Sequence, residues 1–85
     1  MKSSRLKKSI SRVGEVVTTK KTDTAVHYRM QLGNKCIQWI ETFGDAIKGH
    51  PYCFEKKGDE FPAIEEADGW FPKTIEEILE WFKKA

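Results

Sequence analysis

The stretch Ala25–Glu41, AVHYRMQLGNKCIQWIE, decides the architecture. In its first half Val26, Tyr28, Met30 and Leu32 alternate with Ala25, His27, Arg29 and Gln31, the period-2 pattern of a half-buried strand. Gly33-Asn34 follows. Glycine accepts positive φ without a Cβ clash, so this pair suits a primed two-residue hairpin loop. The loop sets the register: Leu32 opposes Lys35, Met30 opposes Ile37, and Tyr28 opposes Trp39 as an aromatic pair on the face of Val26. A helix over Lys35–Lys48 competes, because Cys36, Ile37, Ile40, Phe43 and Ile47 also fit helical spacing, with Asn34 as cap and Gly49 as terminator. Gly44 inside that helix costs about 1 kcal/mol relative to Ala. The reading adopted is a strand to about Glu41 and then a turn or helical turn over Gly44–Lys48.

On the N-terminal side, Val13, Val16, Val17, Thr18 and Thr19 give Arg12–Thr19 the β-branched density of a strand, and polar Lys20–Asp23 is expected to turn the chain into the hairpin. Residues 1–11 are largely Lys, Arg and Ser, and are expected as a flexible basic arm preceding one globular domain over 12–85. Leu6, Ile10 and Val13 nevertheless fall at i, i+4 and i+7, the spacing of a basic amphipathic helix that forms on a partner's surface, although a frayed terminus is the reading adopted.

On the C-terminal side, Tyr52–Glu55 reads as a strand, Lys56–Asp59 as a turn through Gly58, and Glu60–Ile64 as a returning strand that Pro62 confines to an edge or bulge. Glu65–Gly69 is an acidic loop. The final element carries stronger signals than the segment before it: Thr74 with Glu77 forms a capping box, and Ile75, Ile78, Leu79 and Phe82 form one apolar stripe over a helix of about Ile75–Lys84. The fold class expected is α+β: a curved, barrel-like antiparallel sheet of four to five strands with one C-terminal helix packed on it.

Composition bounds the function. At 85 residues the chain has room for one thin core in which three Trp, five Phe and two Tyr supply much of the burial. It has no apolar run long enough to span a membrane and no secretory leader, so a cytoplasmic, reducing setting is expected, with Cys36 and Cys53 as thiols. The net charge of +2 hides an asymmetry: 1–42 hold nine Lys/Arg against three Asp/Glu (+6), and 43–85 hold six against ten (−4). Such a dipole suits an anionic partner or a charged protein surface.

No nucleophile elbow, P-loop, dinucleotide fingerprint or zinc-protease helix occurs, and an 85-residue domain has little room for a preorganised catalytic site, so no catalytic residue and no cofactor is assigned. His27, Cys36, His50 and Cys53 are the ligand types of a zinc site, but their spacing fits no finger and no metal is assigned. The expected function is a non-enzymatic module binding DNA or RNA: Lys7, Lys8, Arg12, Lys20, Lys21, Arg29 and Lys35 contact phosphates, and Tyr28 or Trp39 stacks on bases if its face is open. The alternative is a protein-binding inhibitor or adaptor of a host or cellular protein, docking through Glu65, Glu66, Asp68, Trp70 and Phe71.

Overall fold

The Ala25–Glu41 stretch folds as its alternation dictates. In the computed structural model, which describes residues 3–43, 47 and 50–84, it forms β2 (Ala25–Leu32) and β3 (Lys35–Thr42). They pair antiparallel with Leu32 opposite Lys35, Met30 opposite Ile37 and Tyr28 opposite Trp39. Gly33 at the turn has φ of 62°, in the left-handed region. The competing helix over 35–48 is therefore not formed through Thr42. The turn expected over 44–48 lies outside the described residues except for Ile47, which bridges to Glu41.

Around this hairpin the order along the chain is α1 (Ser3–Ser11), β1 (Val16–Lys21), β2, β3, β4 (Tyr52–Glu55) and α2 (Ile75–Lys83). The sheet order is β1-β2-β3-β4, all antiparallel. Since β1 and β4 do not pair, the sheet is not closed into a barrel. Among the described residues it has four strands, not five: the returning strand expected over 60–64 reduces to one bridge between Lys57 and Glu60. Instead Trp70 bonds to the outer side of β4, its N–H donating to the Cys53 carbonyl at 2.9 Å and its carbonyl accepting from the Cys53 N–H at 3.0 Å. Gly69 permits this approach, because a Cβ there would overlap the Cys53 carbonyl oxygen and the Tyr52 ring.

Two further expectations are corrected. Lys20 and Lys21 do not sit in the turn. They end β1, opposite His27 and Val26, after an irregularity between Thr18 and Lys20. Residues 3–11 are not an arm: α1 docks, and Leu6 and Ile10 are fully buried. An apolar i, i+4 pair on so polar a segment gains its order only by burial against a sheet that is distant in sequence.

Alternation assigns each strand two faces. On one, Val16, Met30, Leu32, Ile37, Trp39 and Cys53 meet Leu6 and Ile10 of α1 and Ile75, Ile78 and Phe82 of α2. The cap of α2 forms at Thr74, with the Glu77 N–H donating to Thr74 Oγ1 at 3.2 Å, while the return bond of the expected capping box shifts by one residue, the Glu77 carboxylate accepting from the Lys73 N–H at 2.7 Å. The other face, carrying His27, Arg29, Gln38, Ile40, Tyr52 and Phe54, is covered in part by the 56–71 segment. Tyr52 donates its hydroxyl to the Ala67 carbonyl at 2.7 Å and accepts from the Gly69 N–H at 2.8 Å, and Phe54 meets Phe61 edge-on at 6.1 Å. No helix among the described residues is long and apolar enough to cross a membrane.

Candidate nucleic-acid interface

The seven expected phosphate contacts divide into three groups. Lys35 leaves the surface: it is buried on the helix-covered face, its Nζ donates to the Trp81 carbonyl at the C-terminal end of α2, and it lies 5.2 Å from the Trp81 ring centroid. A cation there complements the negative end of the helix dipole. Arg29 is on the opposite face, its guanidinium 5.7 Å from the Phe54 ring and 5.4 Å from the Phe61 ring. With the Gln31 amide oxygen turned toward it, Arg29 also donates from Nε and Nη2 at 2.9 Å each. It fastens the 56–71 segment to the sheet.

The remaining cations are exposed: Lys7, Lys8 and Arg12 on and just beyond α1, Lys20 and Lys21 at the end of β1. Of these, Lys7 and Lys21 converge on one feature. The helices cover the Met30–Ile37 end of their face and leave its other end open, where Thr18, Lys21, Val26, Tyr28, Glu41, Thr42 and Phe43 line a cavity of about 350 Å³. Lys7 Nζ lies 4.7 Å from the Tyr28 ring centroid, and Lys21 Nζ lies 6.0 Å from that of Phe43. Among the described residues, the one carboxylate that lines the cavity, Glu41, is 9% exposed and accepts from Trp39 Nε1 at 3.0 Å.

The two expected stacking rings separate. Trp39 is buried, with its indole N–H satisfied by Glu41, so it is a core residue. Tyr28 is half-buried, tilted against Trp39 at 5.6 Å, and reaches the open cavity. Phe43, 58% exposed, was not among the sequence candidates. The available signal is parity: Phe43 continues the odd-numbered series Lys35, Ile37, Trp39 and Glu41, one step beyond where the helices reach.

The acidic-aromatic stretch also divides. Glu65, Glu66 and Asp68 are exposed. Trp70 packs edge-on against Trp81 at 5.6 Å and is held by the bridge to Cys53, whereas Phe71 is 62% exposed over Tyr52 at 5.0 Å.

The zinc ligand types do not assemble. Register puts Cys36 on the face of Arg29 and Cys53 on the opposite face, both are free thiols, and no group of three or more metal-ligating side chains occurs among the described residues. Burial pushes the Cys53 thiol up to about 12, with Cys36 adding to the rise. Burial also raises Cys36, against the lowering effect of the Arg29 guanidinium.

No family model, curated protein or solved structure matches the chain. The functional reading therefore rests on the chemistry of this surface.

Proposed function

We propose that this chain is a non-enzymatic binding module for single-stranded nucleic acid, engaged through the open end of the helix-covered face. The observation that carries the reading is the pairing of a cation with each of two accessible rings around one cavity: Lys7 with Tyr28 and Lys21 with Phe43. The exposed Phe43 ring and the half-buried Tyr28 ring offer bases a π-face, and flanking ammonium groups neutralise phosphates, which is the recurring arrangement for sequence-tolerant single-strand binding. Lys8, Arg12 and Lys20 extend the positive field.

A labelled oligonucleotide tests it. Binding is expected at 50 mM salt and should weaken steeply by 200 mM. Lys21→Glu should flatten that salt dependence, and Phe43→Ala should cost about 1 to 3 kcal/mol of affinity without lowering stability, because the ring is exposed. Absence of binding at low salt, or binding indifferent to both substitutions, overturns the proposal.

Phe71 supports a second reading. Its exposure beside Glu65, Glu66 and Asp68 suits docking to a protein with a basic, apolar surface. Retention of a protein partner in high salt that fails with Phe71→Ala favours this reading over the first.

A further inference from the structure

The sheet has a second opening, on the face that α1 and α2 do not cover. Here His27, Gln38 and His50 share a cavity of about 280 Å³ with Ile40, Tyr52 and Ile64. Its volume is at the lower end for small-ligand sites, enough for one planar group.

Of the polar side chains that line this cavity, Thr19 donates its hydroxyl to the His27 carbonyl at 3.4 Å. The Tyr52 hydroxyl is fully used by Ala67 and Gly69, so Tyr52 offers only its ring. By contrast, the side chains of His27, Gln38 and His50 make no hydrogen bond to any other described residue, the His50 ring only meeting Phe71 edge-on at 6.2 Å, and among the described residues no buried side-chain nitrogen or oxygen lacks a partner. Their polar atoms are therefore accessible from solvent. A carboxamide carries both donors and an acceptor, and a neutral imidazole carries one of each. Three such groups beside an aromatic ring and two aliphatic side chains match a flat heterocycle that has donors and acceptors on its edge and an apolar face.

The position relates this cavity to the first one. Edge strand β1 lies between the two faces, and the irregularity after Thr18 sets Lys20 opposite His27 on one face and Lys21 opposite Val26 on the other. A sugar-phosphate backbone crossing the outer edge of β1 passes from Lys21 to Lys20.

We infer that the His27–Gln38–His50 cavity receives a single unstacked nucleobase, read along its hydrogen-bonding edge, and so gives base preference to a strand whose phosphates and other bases are held on the opposite face. This rests on the nucleic-acid reading where the base belongs to a strand. The same chemistry admits the base of a free nucleotide, which the experiment separates.

The test measures binding of the full chain to four homo-oligonucleotides and to the four mononucleotides, for wild type, Gln38→Ala, His27→Ala and Lys21→Glu, with unfolding curves confirming that each variant is folded. The expected result is one preferred base among the oligonucleotides by at least about fivefold, a preference that Gln38→Ala abolishes while leaving binding to the other three unchanged. Lys21→Glu should weaken all four alike and keep the preference. Saturable binding of one mononucleotide, lost in Gln38→Ala, with no oligonucleotide bound, keeps the base site but assigns it to a free ligand and removes the single-strand reading. Oligonucleotide binding with no base preference, or a preference unmoved by both Gln38→Ala and His27→Ala, overturns the inference and leaves the single-strand reading standing. Should either variant fail to fold, Gln38→Glu, which keeps shape and alters the donor pattern, must shift the preferred base.

Discussion

The two faces of the sheet are covered by different means. One is closed by two short helices that present aliphatic and aromatic stripes, Leu6 and Ile10 from α1 and Ile75, Ile78 and Phe82 from α2. The other is closed in part by an irregular segment held through a cation between rings at Arg29, a hydroxyl bridging two backbone groups at Tyr52, and a two-bond bridge at Cys53. The helical side buries its contacts in a continuous core, whose stability scales with apolar area removed from water. The loop side buries Phe54 and Cys36 beneath a few directional contacts, each worth much less than the helical core. Both coverings stop short of the same end of the sheet, and both cavities open there: the β1–β2 region with Phe43 on one face, and His27 with His50 on the other. A small domain that lacks the material to cover its sheet leaves polar and aromatic side chains available for a ligand.

The comparison breaks most readily at α1. Leu6→Ala should cost about 2 to 5 kcal/mol in urea unfolding, because it empties a fully buried site between α1 and the sheet. A loss under about 0.5 kcal/mol would mean that residues 3–11 contribute no core and the helical side is closed by α2 alone.

On the loop side, Arg29→Ala should cost about 1 to 2 kcal/mol, less than the full sum of two cation–ring contacts and one charged hydrogen-bond pair because Arg29 is half-buried and Gln31 exposed. Hydrogen exchange locates the effect: amides in 56–71 should lose protection while those of α1 and α2 keep theirs. Equal loss across both helices would show the two coverings to be one cooperative unit.

Thr74→Ala removes the acceptor for the Glu77 N–H and should cost about 1 kcal/mol, read as a fall in Tm of about 4 to 8 °C. No change would mean that the Lys73–Glu77 bond caps the helix unaided.

One further effect is invisible at neutral pH. Cys53 has a folded pKa raised by burial to about 12, above its ordinary 9.0, so the folded state holds the thiol proton more tightly than the unfolded chain. Its contribution to stability is intact below pH 9 and is lost as pH rises from 9 toward 12. The stability gap between wild type and Cys53→Ala should therefore narrow across that window in denaturant titrations at stepped pH. A constant gap would place Cys53 in contact with solvent.

How much of this was legible in the sequence follows from the range of the forces involved. The central hairpin, its register and the C-terminal helix were readable because alternation, a glycine at the turn and a capping box act within a few residues of one another. The fate of residues 3–11 was not: Leu6 and Ile10 have helical spacing, but the surface that orders them comes from strands beyond residue 16. The candidate site was legible in kind and not in membership. Lys7, Lys21 and Tyr28 meet around one opening. Lys35, Arg29 and Trp39, equal to them on charge or ring chemistry alone, are committed to a helix terminus, a loop anchor and the core. Phe43, His27, Gln38 and His50 acquire significance only from the end of the sheet that is left uncovered.

By itself the sequence determined which segments alternate, where the chain reverses, that one helix packs by a stripe, and that the cations gather in the first half. Tertiary structure alone decided that the sheet stays open at four strands, that the N-terminal segment joins the core, and which charged and aromatic side chains remain free. The physical reason is that periodicity fixes the face on which a side chain sits, whereas burial, helix-end electrostatics and ring contacts depend on partners distant in sequence, which compete for the same few side chains once the chain has folded.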